Sequence, residues 1–144
     1  MHDTRTLQTE KGILEYIVEN CERAFDELQR LNAELHAARA ASDVDVGHMG
    51  DMHRIVQDYL VVRVAGLFDK RADVISFAKW FSDDSSYKQI QKEEIIQDLI
   101  KTRHNFVAHN NQENINRNFF PDTEKILNSN LRPLLERLKN LLKS

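Results

Sequence analysis

Apolar residues recur along this chain with helical spacing. From about Thr9 to Ala41, Leu14, Cys21, Leu28 and Leu35 share one heptad position, and Ile17, Ala24, Leu31 and Ala38 share the other. That seam suits either the chain's own bundle or a second subunit; most long amphipathic helices serve their own core. "ASDVDVGHMGD" then interrupts the pattern with two Gly and several Asp, and reads as a flexible link. From about Met52 to Phe68 the chain is apolar on nearly all sides, as expected of a central, buried helix that Asp69 closes. A short helix, "VISFAKWF", follows, with Asp73 as its expected cap. After "SDDSS", Ser85 or Ser86 is placed to cap a helix running to about His109, with Asn110 and Asn111 as left-handed C-cap residues. "QENINRNFFPD" reads as a loop, and Pro121 or Asp122 opens the last helical region. Pro133 lacks a backbone donor, so that region should kink or split between Asn130 and Pro133. Its apolar stripe is Leu127, Leu131, Leu134, Leu138 and Leu141. The whole predicts an all-α bundle of about five helices.

Composition agrees with this and narrows the chemistry. A chain of 144 residues suits one domain with a sizeable core, and only four Gly and two Pro interrupt it. The formal net charge is −3, so any nucleic-acid site must be a local basic patch. Cys21 is the one cysteine; no intrachain disulfide forms, and a reducing compartment is expected. No apolar run reaches the ~18 residues of a membrane span. The start, "MHDTRTLQTEKG", lacks the apolar core of a signal peptide, so the expected location is the cytosol. His48 and His53 are five apart, not the three or four that aligns two ligands on a helix, so no metal site is expected there. There is no Gly-rich phosphate loop, Ser82, Ser85 and Ser86 have no triad context, and Trp80 and Phe81 read as packing residues.

One residue breaks the pattern. In "LIKTRHNFVAHNNQ", an α-helical projection puts Ile95, Ile96, Leu99, Ile100, Phe106 and Val107 on one arc, with Arg103 near its middle. A charge at the centre of an apolar face must snorkel out, pair with a buried acid such as Asp69 or Asp58, or face a cleft where it is used. Asn105 and His109, four apart, share a face with Asp98 near the same meridian. Arg103 lies roughly 120° around from His109, with roughly 9 Å of rise between them. A histidine at a helix C-terminus is favoured as imidazolium by the helix dipole. Beside a fixed cation, it suits acid–base chemistry on a phosphodiester. Lys88, Lys92, Lys101 and Arg117 are candidates to line an RNA approach, although a solvated polar face accounts for most such residues.

These residues carry a resemblance. "RHNFVAHN" resembles the signature of the HEPN superfamily: an arginine, a polar companion (here His104 or Asn105), and a histidine after five intervening residues. "VVRVAGLFDKRADVISFAKWF" resembles the helix–Asp–short-helix passage of its abortive-infection type U branch. The resemblance covers Asp58 to Gln112. It implies a small helical bundle, commonly a homodimer with both motifs facing one cleft, acting as a metal-independent endoribonuclease in which the RNA's own 2′-hydroxyl attacks the adjacent phosphate. His109 would then be general base or acid, Arg103 would hold the phosphate, and Asn105 would orient the site. His104, Lys101 and Arg117 would contact substrate, and Asp69 would sit at the cleft. No cofactor is implied. Members commonly act as toxins or phage-defence effectors beside an antitoxin, often a minimal nucleotidyltransferase. Some of those partners modify a tyrosine two residues after the histidine; here that position is Asn111, a departure from the pattern. Two alternatives stand beside this reading: a catalytically silent nucleotide- or RNA-binding module of the same fold, and a helical interaction protein that dimerises through the first helix.

Overall fold

A computed structural model describes residues 4–41, 47–108 and 123–143, with the backbone alone at 106–108. Seven α-helices and one π-helical turn, with no strand, make up the described residues: α1 (Thr4–Ala40), α2 (Gly47–Gly66), α3 (Phe77–Phe81), α4 (Ser85–Gln91), α5 (Glu94–Thr102), the π turn (Arg103–Ala108), α6 (Thr123–Leu127) and α7 (Leu131–Leu142). α1 lies against α2, α6 and α7; α2 also packs on α5 and the π turn, and α4 on α7.

The heptad seam of α1 faces this core. Leu14, Cys21 and Leu28 are fully buried in one cluster with Leu60, Val61 and Val64 of α2 and Leu134, Leu135 and Leu138 of α7, and Leu35 is nearly fully buried. Full burial of such a side chain is worth about 1.5–3 kcal/mol. The Leu14–Cys21–Leu28–Leu35 side of the seam therefore serves the subunit's own bundle, while Ile17, Ala24 and Ala38 on the other side are only partly buried. Burial pushes the Cys21 thiol up to about 12, against a weaker opposing pull from Arg63, so it packs as a small apolar group.

Two buried carboxylates fasten α1 to its neighbours. Glu10 accepts hydrogen bonds from Lys79 Nζ at 2.9 and 3.1 Å and from Trp80 Nε1 at 3.3 Å. Glu22 is held by Lys139 Nζ at 2.7 Å and by Arg132. Phe81 packs on Phe77 with ring centroids 5.8 Å apart, so Trp80 and Phe81 are packing residues, as expected.

Several boundaries differ from expectation. α1 begins at Thr4, not near Thr9, because the Thr9 hydroxyl donates back to the Arg5 carbonyl at 3.1 Å and so sits inside the helix. The glycines of the supposed link are helical from Gly47, where Asp51 and Arg54 pair at 3.0 Å across one turn. Ser76, not Asp73, caps α3 by accepting from the Lys79 amide, and Asp84, not Ser85 or Ser86, caps α4 by accepting from the Tyr87 amide.

The largest difference is in the Arg103 helix, expected to be continuous from Ser85 to His109. It breaks at Lys92 and Glu93, where Glu93 is extended with φ −60° and ψ 139°. In one straight α-helix Ile90 and Ile96 would point roughly 120° apart. The break turns both into the core, where each is fully buried. The Gln97 side chain donates to the Gln91 carbonyl at 2.6 Å and so satisfies an acceptor at the end of α4.

The predicted split before Pro133 is present. Residues 128–130 separate α6 from α7, and the Ser129 hydroxyl bonds the Ile126 carbonyl and the Leu131 amide. Pro133 is the third residue of α7, where its missing donor breaks no helical bond. Ile126 and Leu135 are buried with Leu131, Leu134, Leu138 and Leu141, whereas Leu127 is only partly buried. The expected caps Asn110 and Asn111, the "QENINRNFFPD" loop, and Pro121 and Asp122 lie outside the described residues. Among those residues, no helix is long and apolar enough to cross a membrane.

Candidate functional site

The site is built where α2 ends. Beyond Gly66 the chain folds back on itself: the Phe77 amide donates to the Leu67 carbonyl at 2.8 Å, and the Ser76 hydroxyl to the Asp69 carbonyl at 2.7 Å. Phe68 anchors this turn by stacking on Tyr87, with ring centroids 5.8 Å apart and planes at 24°. The Asp69 side chain, only 11% exposed, is thereby turned towards the π turn that follows α5.

Two guanidinium groups meet Asp69. Arg71 grips it with Nε at 3.2 Å from both carboxylate oxygens and Nη2 at 3.0 Å from Oδ2, and the Arg71 amide adds a bond at 3.0 Å. Arg103 Nη1 approaches the same Oδ2 at 3.5 Å. The Arg71 fork outweighs burial and, with a smaller pull from Arg103, holds the Asp69 carboxyl below its ordinary value. Arg103 therefore has the acidic partner foreseen for it. That partner is Asp69 and not Asp58, whose carboxyl is pushed up by burial. The contact is long and singular, and 30% of the Arg103 side chain remains exposed.

That exposed part of Arg103 opens on a cleft of about 500 Å³. Lys70, Arg71 and Arg103 line it against one carboxylate, Asp69, with His104 at its edge and Phe68 as apolar wall. On a chain of net charge −3, this is a local concentration of positive charge facing a concave surface. Arginine forks match phosphate and carboxylate geometry. The arrangement suits an anion that shares Arg103 with Asp69.

The other candidate residues fall into three groups. His104 is exposed and lines the cleft. Asn105 is half-buried and Lys101 exposed, and neither lines it. Asp98, expected near the meridian of Asn105 and His109, is instead held by Lys125 Nζ at 2.7 Å and lines a separate pocket. His109, Asn111 and Arg117 lie outside the described residues. Over Arg103–Ala108 the chain forms a π turn, hydrogen-bonded between residues five apart, in place of the expected regular α-helix, and the Asn105–His109 spacing reaches outside the described residues.

Lys70 and Arg71 are the residues that sequence reasoning missed. Their signal was "FDKRAD", a pair of cations directly after a helix-closing aspartate. Among the described residues, no group of three or more His, Cys, Asp and Glu side chains is placed to hold a metal ion. His53 is half-buried, and burial followed by nearby Arg39 and His36 lowers its pKa.

Comparison with protein-family models, with curated proteins and with solved structures finds no match to this chain.

Proposed function

We propose that this chain is an endoribonuclease of the HEPN type that cleaves RNA through attack of the substrate's own 2′-hydroxyl, without need of a metal. The observation that carries this reading is the placement of Arg103: half-exposed in a cation-rich cleft and only loosely tied to Asp69. The motif resemblance supplies the rest. In the reaction, the 2′-oxygen forms a bond to phosphorus as its proton passes to a base. The bond to the 5′-oxygen breaks, and that oxygen receives a proton, leaving a cyclic phosphate and a 5′-hydroxyl. The nucleophile belongs to the substrate, so the protein supplies proton transfer and charge. By resemblance His109 moves the protons, while Arg103 meets the charge that builds on the phosphate. Lys70 and Arg71 add to the field that draws the phosphate in.

One subunit contributes one motif arginine and one motif histidine, so the reading includes a homodimer that brings two clefts together. It also includes a cytosolic role as toxin or phage-defence effector, restrained by an antitoxin protein such as a minimal nucleotidyltransferase. The test is end-labelled RNA incubated with wild type, Arg103→Ala and His109→Ala, with and without chelator. Wild type should cut RNA but not DNA, leave a cyclic phosphate end and ignore the chelator. His109→Ala cutting as fast as wild type would defeat the assignment. Light scattering showing a monomer at tens of micromolar would remove the dimer.

The Arg103–Asp69 pair itself favours a second reading, a silent module of the same fold that binds RNA or nucleotide without turnover. In that case Arg103→Ala weakens binding, and no cleavage is seen with any variant.

A further inference from the structure

A second cleft, of about 510 Å³, adjoins the first. Lys70 and Gln91 line both. The stacked pair Phe68 and Tyr87 joins them as well, Phe68 lining the first and Tyr87 the second. Lys88 and Lys92 complete the second cleft, with the exposed hydroxyl residue Ser82, and no carboxylate lines it. Lys88 lies in α4 and Lys92, four residues on, is its C-cap, still with helical dihedral angles, so two like charges share one face, an arrangement that by itself destabilises a helix. Neither they nor Lys70 pair with a carboxylate among the described residues, whereas Lys79, Lys125 and Lys139 all do. Tyr87 is 2% exposed, and its hydroxyl has no hydrogen-bond partner among the described residues. Burial pushes that hydroxyl up to about 12, so it stays protonated and can donate.

We propose that the two clefts form one track for single-stranded RNA, in which Lys88 and Lys92 take the phosphates next to the one held at Arg103, with Lys70 at the junction. This rests on the reading of the first cleft as an RNA phosphate site. A row of lysines in a groove follows a strand's repeating charge without reading its bases. Folding gathers the row from two places in the chain, Lys70 from the turn after α2 and Lys88 and Lys92 from α4 and its C-cap. The product is an extended binding surface in place of a single anion site.

The test uses labelled RNA in which every 2′-hydroxyl is methylated, so that binding is read without cleavage. A dinucleotide and an octanucleotide are titrated across a salt series against wild type and the Lys88→Ala/Lys92→Ala double variant. Both side chains are exposed, and a thermal melt shows whether the fold is kept. Wild type should bind the octanucleotide more tightly than the dinucleotide. The double variant should lose most of that advantage and lower the salt slope for the octanucleotide by about 1.4, roughly 0.7 per phosphate contact. Its affinity for the dinucleotide should not change. An unchanged length advantage in the double variant, or none in wild type, overturns the track. So does displacement of the octanucleotide by a polyglutamate peptide as readily as by RNA. Cleavage of unmodified RNA is scored separately. If the length advantage depends on Lys88 and Lys92 but no RNA is ever cut, the nuclease assignment fails and the track stands. Cleavage with an unchanged length advantage gives the reverse.

Discussion

Glu22 and Asp69 are both nearly buried carboxylates, 7% and 11% exposed at the side chain, and each is met by two cations. Around Glu22 the cations are outnumbered. Lys139 is shared with Glu136 at 3.2 Å and Arg132 with Asp26 at 3.4 Å. Every charge there has a partner, and the cluster ties α1 to α7. Around Asp69 the balance is reversed. Arg71 holds the carboxylate with a full fork, Arg103 touches it once, and Lys70 lines the same cleft with no ion pair among the described residues. The first arrangement is electrically closed and structural. The second has positive charge to spare and a cavity in front of it. The local ratio of cations to carboxylates, more than the burial of any one group, separates a fastening from a site.

Substitutions at Arg103, Arg132, Glu22 and Asp69 test that contrast, the largest effect first. Arg103→Ala should slow RNA cleavage by roughly 10²–10³-fold, the usual cost of removing one stabilising donor. Its melting temperature should barely change, because a long, partly exposed ion pair is worth about 0–1 kcal/mol. Arg103→Lys should recover only part of the activity, since lysine lacks the two-pronged grip on phosphate. Arg132→Ala should leave cleavage untouched; if it slows cleavage as much as Arg103→Ala does, the distinction between the clusters collapses.

Glu22→Gln should destabilise the fold by about 1–3 kcal/mol in a urea titration. Removing one partner of a buried pair costs more than that, but Lys139 and Arg132 are 20% and 40% exposed and water screens what is left. Asp69→Asn should cost less stability than Glu22→Gln and should act on RNA instead. With the carboxylate neutral, a non-cleavable RNA should bind several-fold more tightly, while cleavage slows because Arg103 loses the group that positions it. Weaker binding in that variant would show that Asp69 does not compete with the phosphate.

The smallest effect is in pH. The folded-state pKa of Asp69 is depressed, so the stability it contributes is fully present above its ordinary value, about 3.9, and is lost as pH falls through the lower folded value. Asp69→Asn should therefore flatten the acid side of the stability profile below about pH 4 and leave the neutral region parallel to wild type. A difference in slope between pH 5 and 8 would have to arise from another group.

The candidate site was partly legible from its residues. Arg103 stood out because an apolar arc cannot hold a charge without a reason, and Asp69 was one of two acids named for it. His104, read as a substrate contact, lines the cleft. Lys70 and Arg71 were not legible, because cations after a helix end look like any solvated turn until the turn folds back. Lys101 and Asn105, read as substrate-contacting and site-orienting residues, do not line the cleft, and the π turn that carries Asn105 left no mark in the apolar spacing.

The sequence by itself determined that the chain is helical and where most of its apolar stripes lie. Leu14, Cys21, Leu28 and Leu35 in α1, and Leu131, Leu134, Leu138 and Leu141 in α7, repeat with the turn of a helix, a local geometry that spacing alone reveals. Pro133 marked one split in advance, but only the tertiary structure decided the break at Glu93 and which charges meet. The break at Glu93 turns Ile90 and Ile96 into one core, and the turn at Asp69 faces the π turn because Ser76 and Phe77 bond back across it. Those contacts join residues far apart in the chain, and their energies depend on packing that no local spacing encodes.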